Sequence, residues 1–230
     1  MDPLALPFDR DDMLARLRPW IECESPTWDA DAVTRMMDLA ARDAEGWGCT
    51  VDRIPPAGGF GGSIRIRVPH PDHGRVKGVL VSGHMDTVHP AGVLEKNPWR
   101  VEGGKAWGPG IQDMKGGNFA MLEAARLLHA AGARTPLPVT FLFTPDEEVG
   151  TPATRTLIED EARRNAAVLL PEPALRDGGA VTGRYAIARF DLLTEGRPSH
   201  AGWALREARS AIAEMARRIL DIEALTGDDC

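Results

Sequence analysis

Three short apolar runs, each ending in residues that no core requires, constrain this chain most. Val79-Leu80-Val81 leads to His84 and Asp86, Pro138–Phe143 leads to Asp146, Glu147 and Glu148, and Ala166–Leu170 leads to Glu172. The runs lack apolar–polar alternation, as expected of strands buried on both faces. Helical stretches separate them: Met114 to about Ala131, with Met121, Ala124, Ala125 and Leu128 inward, and Ala153–Arg164. Strands alternating with helices predict an α/β fold, a three-layer α/β/α sandwich around a largely parallel, twisted sheet. In such sheets ligands bind outside the carboxyl ends of the strands. One histidine and several carboxylates from distant parts of the chain are therefore expected along one edge.

The flanking sequence fits the same layers. Asp11–Glu22 carries Leu14, Leu17 and Ile21 on one helical face, and Asp29–Glu45 carries Val33, Met36, Met37, Ala40, Ala41 and Ala44 on another. Methionines at that spacing read as core. Thr50–Ile54 and Ser63–Val68 read as strands, the second alternating Ile64, Ile66 and Val68 against Arg65 and Arg67. After Gly183 the pattern changes to a strand at Ala186–Thr194, a GRPSHAG loop, and a helix over Leu205–Leu225. A domain boundary is expected there, dividing the chain into 1–185 and 186–230.

Carboxylates gathered without counter-charge repel one another, and some would have to hold protons. A divalent cation removes that conflict, and carboxylates with a neutral imidazole suit zinc. Two metals sharing one carboxylate would use more of these acids at once. Taken singly, each residue has an ordinary reading. His84 reads as a hydrogen-bonded loop histidine, Asp113 as a helix N-cap, Glu147 and Glu148 as a solvated pair, and Glu172 as surface decoration. Their joint placement at the ends of core strands favours a metal site.

Composition excludes several classes. Lys and Arg number 27 against 34 Asp and Glu, for a net charge of −7, which argues against a nucleic-acid binder. Three scattered cysteines, Cys23, Cys49 and Cys230, give neither a disulfide framework nor a CxxC metal site. No apolar run is long enough to span a membrane and no secretory leader is evident, so a cytoplasmic protein is expected. The glycine-rich GGFGGS segment leads into a strand, whereas phosphate cradles need a helix N-terminus. His70, His73 and His129 lack metal-like spacing and read as solvated, His89 as part of a loop, and Trp99 and Trp107 as packing around a turn. Gly116-Gly117 reads as a site of tight packing.

SGHMDTVHP, WGPGIQDMKGG, FTPDEEVGTP, LLPEP and GRPSHAG occur in that order. Together they resemble the zinc-dependent exopeptidase and deacylase family of glutamate carboxypeptidase, aminoacylase and succinyl-diaminopimelate desuccinylase, with wording nearest the glutamate carboxypeptidase branch. The resemblance implies a two-zinc hydrolase, with cobalt or manganese as alternatives. It would act on a small peptide or an N-acyl amino acid, with no nucleic acid or membrane partner. It implies His84, Asp113 and Glu172 on the first metal, with Asp86 orienting His84 and Asp113 bridging, a cis peptide often following that residue. It implies Glu148 on the second metal, Glu147 as general base, and His200 binding the substrate carbonyl from a lid. Residues 1–185 would then be the catalytic domain and 186–230 the start of a lid through which the parent dimerises.

Family members are longer, and their closing segment carries a further histidine for the second metal. By that resemblance the chain is expected to be truncated, to hold at most one zinc well, and to be weakly active or inactive. A half-built lid is also expected to leave an uncovered apolar helix face.

Overall fold

The structure is a computed structural model describing residues 6–175, 178–183, 188 and 190–227. The chain divides into two compact units, Met1–Ala180 and Val181–Cys230.

The first unit opens with helices α1 (Arg10–Glu22) and α2 (Ala30–Glu45). Each is started by an aspartate that caps free amides: Asp9 accepts from Asp11 and Asp12, and Asp29 accepts from Ala32. Strands β1 (Thr50–Ile54), β2 (Ser63–Arg67) and β3 (Gly78–His84) follow, then a single helical turn α3 (Val93–Lys96) and a hairpin of β4 (Arg100–Glu102) and β5 (Lys105–Trp107). A wide turn at Ile111–Lys115 feeds α4 (Gly116–Ala130). Then come β6 (Val139–Thr144), α5 (Arg155–Arg164) and β7 (Asn165–Leu169). The β4–β5 hairpin is too short to leave a periodic signal; Trp107 stays half-exposed there, under the Arg100 guanidinium at 5.0 Å.

The main sheet has the order β1-β2-β6-β3-β7. It is mixed: β1 and β2 are antiparallel, as are β2 and β6, while β3 runs parallel to both β6 and β7. The parallel arrangement thus holds for the three strands that carry the polar ends. One sheet face, with Ile64, Ile66, Val81, Phe141 and Phe143, packs on α1, α2 and α4 through Trp20, Val33, Met36, Met37 and Phe119. Trp20 meets Phe119 and Phe143 edge-on, at 5.5 and 6.5 Å. Both helix-α2 methionines are core, as their spacing predicts. The opposite face carries Arg65, which pairs with Glu161 of α5.

Some expectations are corrected. β7 is not buried on both faces; it is the sheet edge, with Val168 and Leu169 40% and 46% exposed. The inward stripe of α4 lies elsewhere: Phe119, Leu122, Glu123 and Leu127 are buried, and Met121, Ala124, Ala125 and Leu128 only half so. Glu123 is tolerated there because Arg16 and Arg126 neutralise it. His70 and His73 are not solvated. A His70 ring nitrogen lies 3.1 Å from the Thr135 carbonyl, and one of His73 lies 2.7 Å from that of Val68.

In the second unit, the expected strand Ala186–Thr194 begins on residues outside the described ones, and 190–194 carry no strand. The expected helix over Leu205–Leu225 is broken. A 3-10 turn at Leu205–Glu207 precedes helix α6 (Ala211–Glu223), because Arg209 is drawn into an extended bridge with Arg197 and Ser210 then caps the Ala213 amide. Ile212, Ile219, Leu220 and Ile222 of α6 are exposed.

The packed face dominates stability. Phe141→Ala is expected to cost about 3–5 kcal/mol, whereas Val168→Ala at the sheet edge should cost under about 1 kcal/mol, both read from urea unfolding.

Candidate metal centre

The parallel strands β3, β6 and β7 end on one side, and the loops that follow bring the polar residues together. His84 closes β3 with its imidazole almost wholly buried. Its Nδ1 lies 3.0 Å from the Asp86 carbonyl oxygen and 3.3 Å from Asp86 Oδ1. Its Nε2 faces Asp113 Oδ1 at 3.1 Å, Glu147 Oε2 at 3.7 Å and Glu172 Oε1 at 3.8 Å. Donor atoms of His84, Asp113 and Glu172 all lie within 4.8 Å of one another. Of the three partners of His84 Nε2, Asp113 and Glu147 are the more open to water, their side chains 58% and 50% exposed.

Asp86 is fully buried and ties the arrangement together. Its carboxylate accepts from Thr27 Oγ1 at 2.8 Å and from the Glu147 and Glu148 amides, each at 3.3 Å. Asp146 points away from the cluster. It accepts from the Ala153 and Thr154 amides and the Thr154 hydroxyl, pinning the turn that carries Glu147 and Glu148. The Asp113–Met114 peptide is cis.

Backbone crowding fixes the remaining ligand. A Cβ on Gly117 would lie 1.8 Å from the Pro171 carbonyl oxygen, so only glycine lets α4 approach the residue before Glu172. A Cβ on Gly83 would lie 2.0 Å from Asn118 Oδ1, and the Asn118 amide donates to the His84 carbonyl at 2.7 Å. The tight packing expected at Gly116-Gly117 is thus present.

Burial by itself pulls the His84 pKa down, but the hydrogen bond and charge of Asp86, with the charges of Glu147 and Glu172, outweigh it and push the value up to about 9. Glu148 is raised, first by burial and then by the Asp113 charge. The His84 shift, and the Asp113 contribution to that of Glu148, record an excess of negative charge that a cation would relieve. The donor set, one imidazole with a second-nitrogen partner and several carboxylates, fits zinc. Glu148 stands outside the converging trio. His200 lies in the second unit, exposed and stacked on Trp203 at 5.6 Å, its Nδ1 accepting from the Gly202 amide.

Sequence reasoning missed four positioning residues, Asn118 and three more. Ser25 and Thr27 were legible only as a helix break, yet the Ser25 hydroxyl bonds the Met85 carbonyl and Thr27 holds Asp86. Lys115 is buried, with its ammonium on the Trp20 and Cys23 carbonyls at 3.3 and 2.7 Å at the end of α1. Burial lowers its pKa to about 8, against the opposing charges of Cys23, Glu24 and Asp86. A lone lysine beside a glycine pair gives no signal for this in sequence.

The Peptidase family M20/M25/M40 matches residues 80–227, well over half of the chain. The chain belongs to that family. It is 35% identical over 214 residues to carboxypeptidase G2 of Pseudomonas sp. strain RS-16, a match covering 90% of this chain and 50% of that protein. It is 35% identical over 97 residues to succinyl-diaminopimelate desuccinylase of Helicobacter pylori strain G27, covering 41% of this chain and 24% of that one. The chain thus spans half the length of the first of these relatives, and less of the second. The fold is shared with aminopeptidase PepT from Bacillus cereus (TM-score 0.64, 17% identity, 92% of this chain and 56% of that one). It is shared also with human carnosine dipeptidase 1 (TM-score 0.60, 21% identity, 72% and 39%).

Gly117→Ala should push Pro171 and Glu172 outward and weaken metal binding at least about tenfold by calorimetric titration, while Gly183→Ala, with open space around it, leaves binding unchanged. Lys115 gives a pH signature. Below about pH 8 folded and unfolded chains both hold its proton and the burial penalty is full. Between about 8 and the usual 10.5 only the unfolded chain holds it, so stability rises with pH. Measured against Lys115→Met by urea unfolding, the wild type should gain up to about 1 kcal/mol per pH unit across that window.

Proposed function

We propose that this chain carries the metal-holding part of a hydrolase that cleaves an amide bond and releases a C-terminal amino acid. The observation that carries the reading is the geometry at His84 Nε2. Three carboxylates from separate loops face it, while Asp86 holds the other ring nitrogen. His84, Asp113 and Glu172 would hold one zinc, with cobalt or manganese as substitutes, and Asp113 and Glu148 would serve a second.

Zinc, when bound, lowers the pKa of a water toward about 7 and polarises a carbonyl. Glu147 is the general base in this reading. It sits beside the trio without belonging to it and is half-exposed, so it can take a proton from water and return it to a leaving amine. Asp86 keeps the His84 ring in place and, through two amides, sets the turn bearing Glu147 and Glu148. His200 would bind the substrate carbonyl oxygen, and the second unit would be a lid through which copies pair. The free thiols of Cys23 and Cys49 accord with a cytoplasmic setting.

The similarity to succinyl-diaminopimelate desuccinylase supports a second reading, removal of an N-acyl group from an amino acid. Hydrolysis assays with N-acyl amino acids beside folate-like and dipeptide substrates separate the two.

Native mass spectrometry of the purified chain should show about one tightly held zinc. His84→Ala and Asp113→Asn should lose it. Glu147→Gln should keep the metal and lose any hydrolysis. Two tightly held zincs, or equal metal loss in all three variants, would contradict these assignments.

A further inference from the structure

A cavity of about 480 Å³ opens at the end of the sheet opposite the metal cluster. Gly78 lines it at the start of β3, and His84 closes that strand, so the two sites lie about 20 Å apart along it. Its walls carry Arg65, Arg67, Arg75, Lys77 and Arg164, with His73 beside them, and one carboxylate, Glu161. This concentration of positive charge occurs in a chain whose net charge is −7.

The cations fall into two groups. Arg65 and Arg67 project from alternate positions of β2, opposite the core isoleucines, and are held by acids at their sides. Arg65 bonds Glu161 at 2.8 Å, Arg67 bonds Asp52 at 2.5 and 3.1 Å, and Arg164 meets Glu161 at 3.3 Å. These pairs orient the guanidinium groups and use only part of their donors, since each guanidinium has five. Arg75 and Lys77 are exposed at the rim and form no ion pair among the described residues. Counting Glu161 and Asp52 against the five cations leaves an excess of about three positive charges in one concavity.

We propose that this cavity binds a small anion carrying two or more linked phosphoryl groups. Planar guanidinium groups match phosphate oxygens in bidentate geometry, and several in one cavity favour multiple charge over a single carboxylate. The volume lies in the range of small-molecule sites and exceeds what one inorganic phosphate fills. The ligand is free pyrophosphate or the diphosphate of a nucleotide, both offering the same chemistry to these residues. The site goes beyond the hydrolytic reading and does not depend on it.

Pyrophosphate and ADP are titrated calorimetrically into the purified chain with and without EDTA, at ionic strength matched with NaCl. Saturable binding that survives EDTA is expected for at least one of them. It should weaken at least tenfold in the double variant Arg75→Glu/Lys77→Glu, whose exposed positions leave the melting temperature unchanged, and persist in Asp113→Asn. Tighter binding of ADP identifies the nucleotide as the source, and equal or weaker binding identifies pyrophosphate. No saturable binding of either, loss of binding on adding EDTA, or equal affinity in the double variant would overturn the assignment.

Discussion

The buried Asp86 carboxylate is the interaction on which the site depends. Among the described residues it forms no ion pair with a lysine or arginine; its charge is met by the Thr27 hydroxyl, two backbone amides and the His84 ring. Hydrogen bonds to an ionised group are stronger than neutral ones, and an unmet buried charge is costly. Each donor is therefore held firmly, and together they come from three stretches of chain, at Thr27, at His84 and at the Glu147–Glu148 turn. Asp86 thereby fixes both the histidine and the turn that carries two glutamates.

Small residues set the remaining distances. Gly117 brings the Pro171 carbonyl against α4, and Gly83 makes room for Asn118 under the His84 backbone. The parallel trio β6-β3-β7 then places three loop origins on one side of the sheet. The antiparallel β1–β2 pair extends the sheet without adding to the site. Instead, β2 offers its arginines to the far face, where they line the basic cavity.

The sequence made the layers legible because apolar runs and helical stripes report burial directly. It also brought out His84, Asp86, Glu147, Glu148 and Glu172, which follow apolar runs, and Asp113, which precedes a helix, because together they suit a cation better than separate structural uses, and the family resemblance then implied a role for each. Thr27, Ser25, Asn118 and Lys115 were not legible. Their roles come from contacts with residues distant in the chain, and a hydroxyl or amide beside a proline or glycine has many ordinary explanations. Asp146 shows the converse. Its place in the DEE run matched its neighbours, yet its carboxylate caps the turn toward α5. The exposure of β7 was hidden for a related reason: an apolar run reports its composition, not whether its strand lies at the centre or the edge of a sheet.

The Asp86 bonds also bear on the order of folding. They join residues 59, 61 and 62 positions apart, so two long stretches of chain must close before the carboxylate has its donors. Closure on that scale carries an entropic cost that local helices and hairpins avoid. The helices and the β1–β2 hairpin can assemble first, with the acidic residues still apart and their mutual repulsion unfelt. The metal centre is then a product of the finished fold, and a cation would meet its ligands together only once the chain had closed around Asp86.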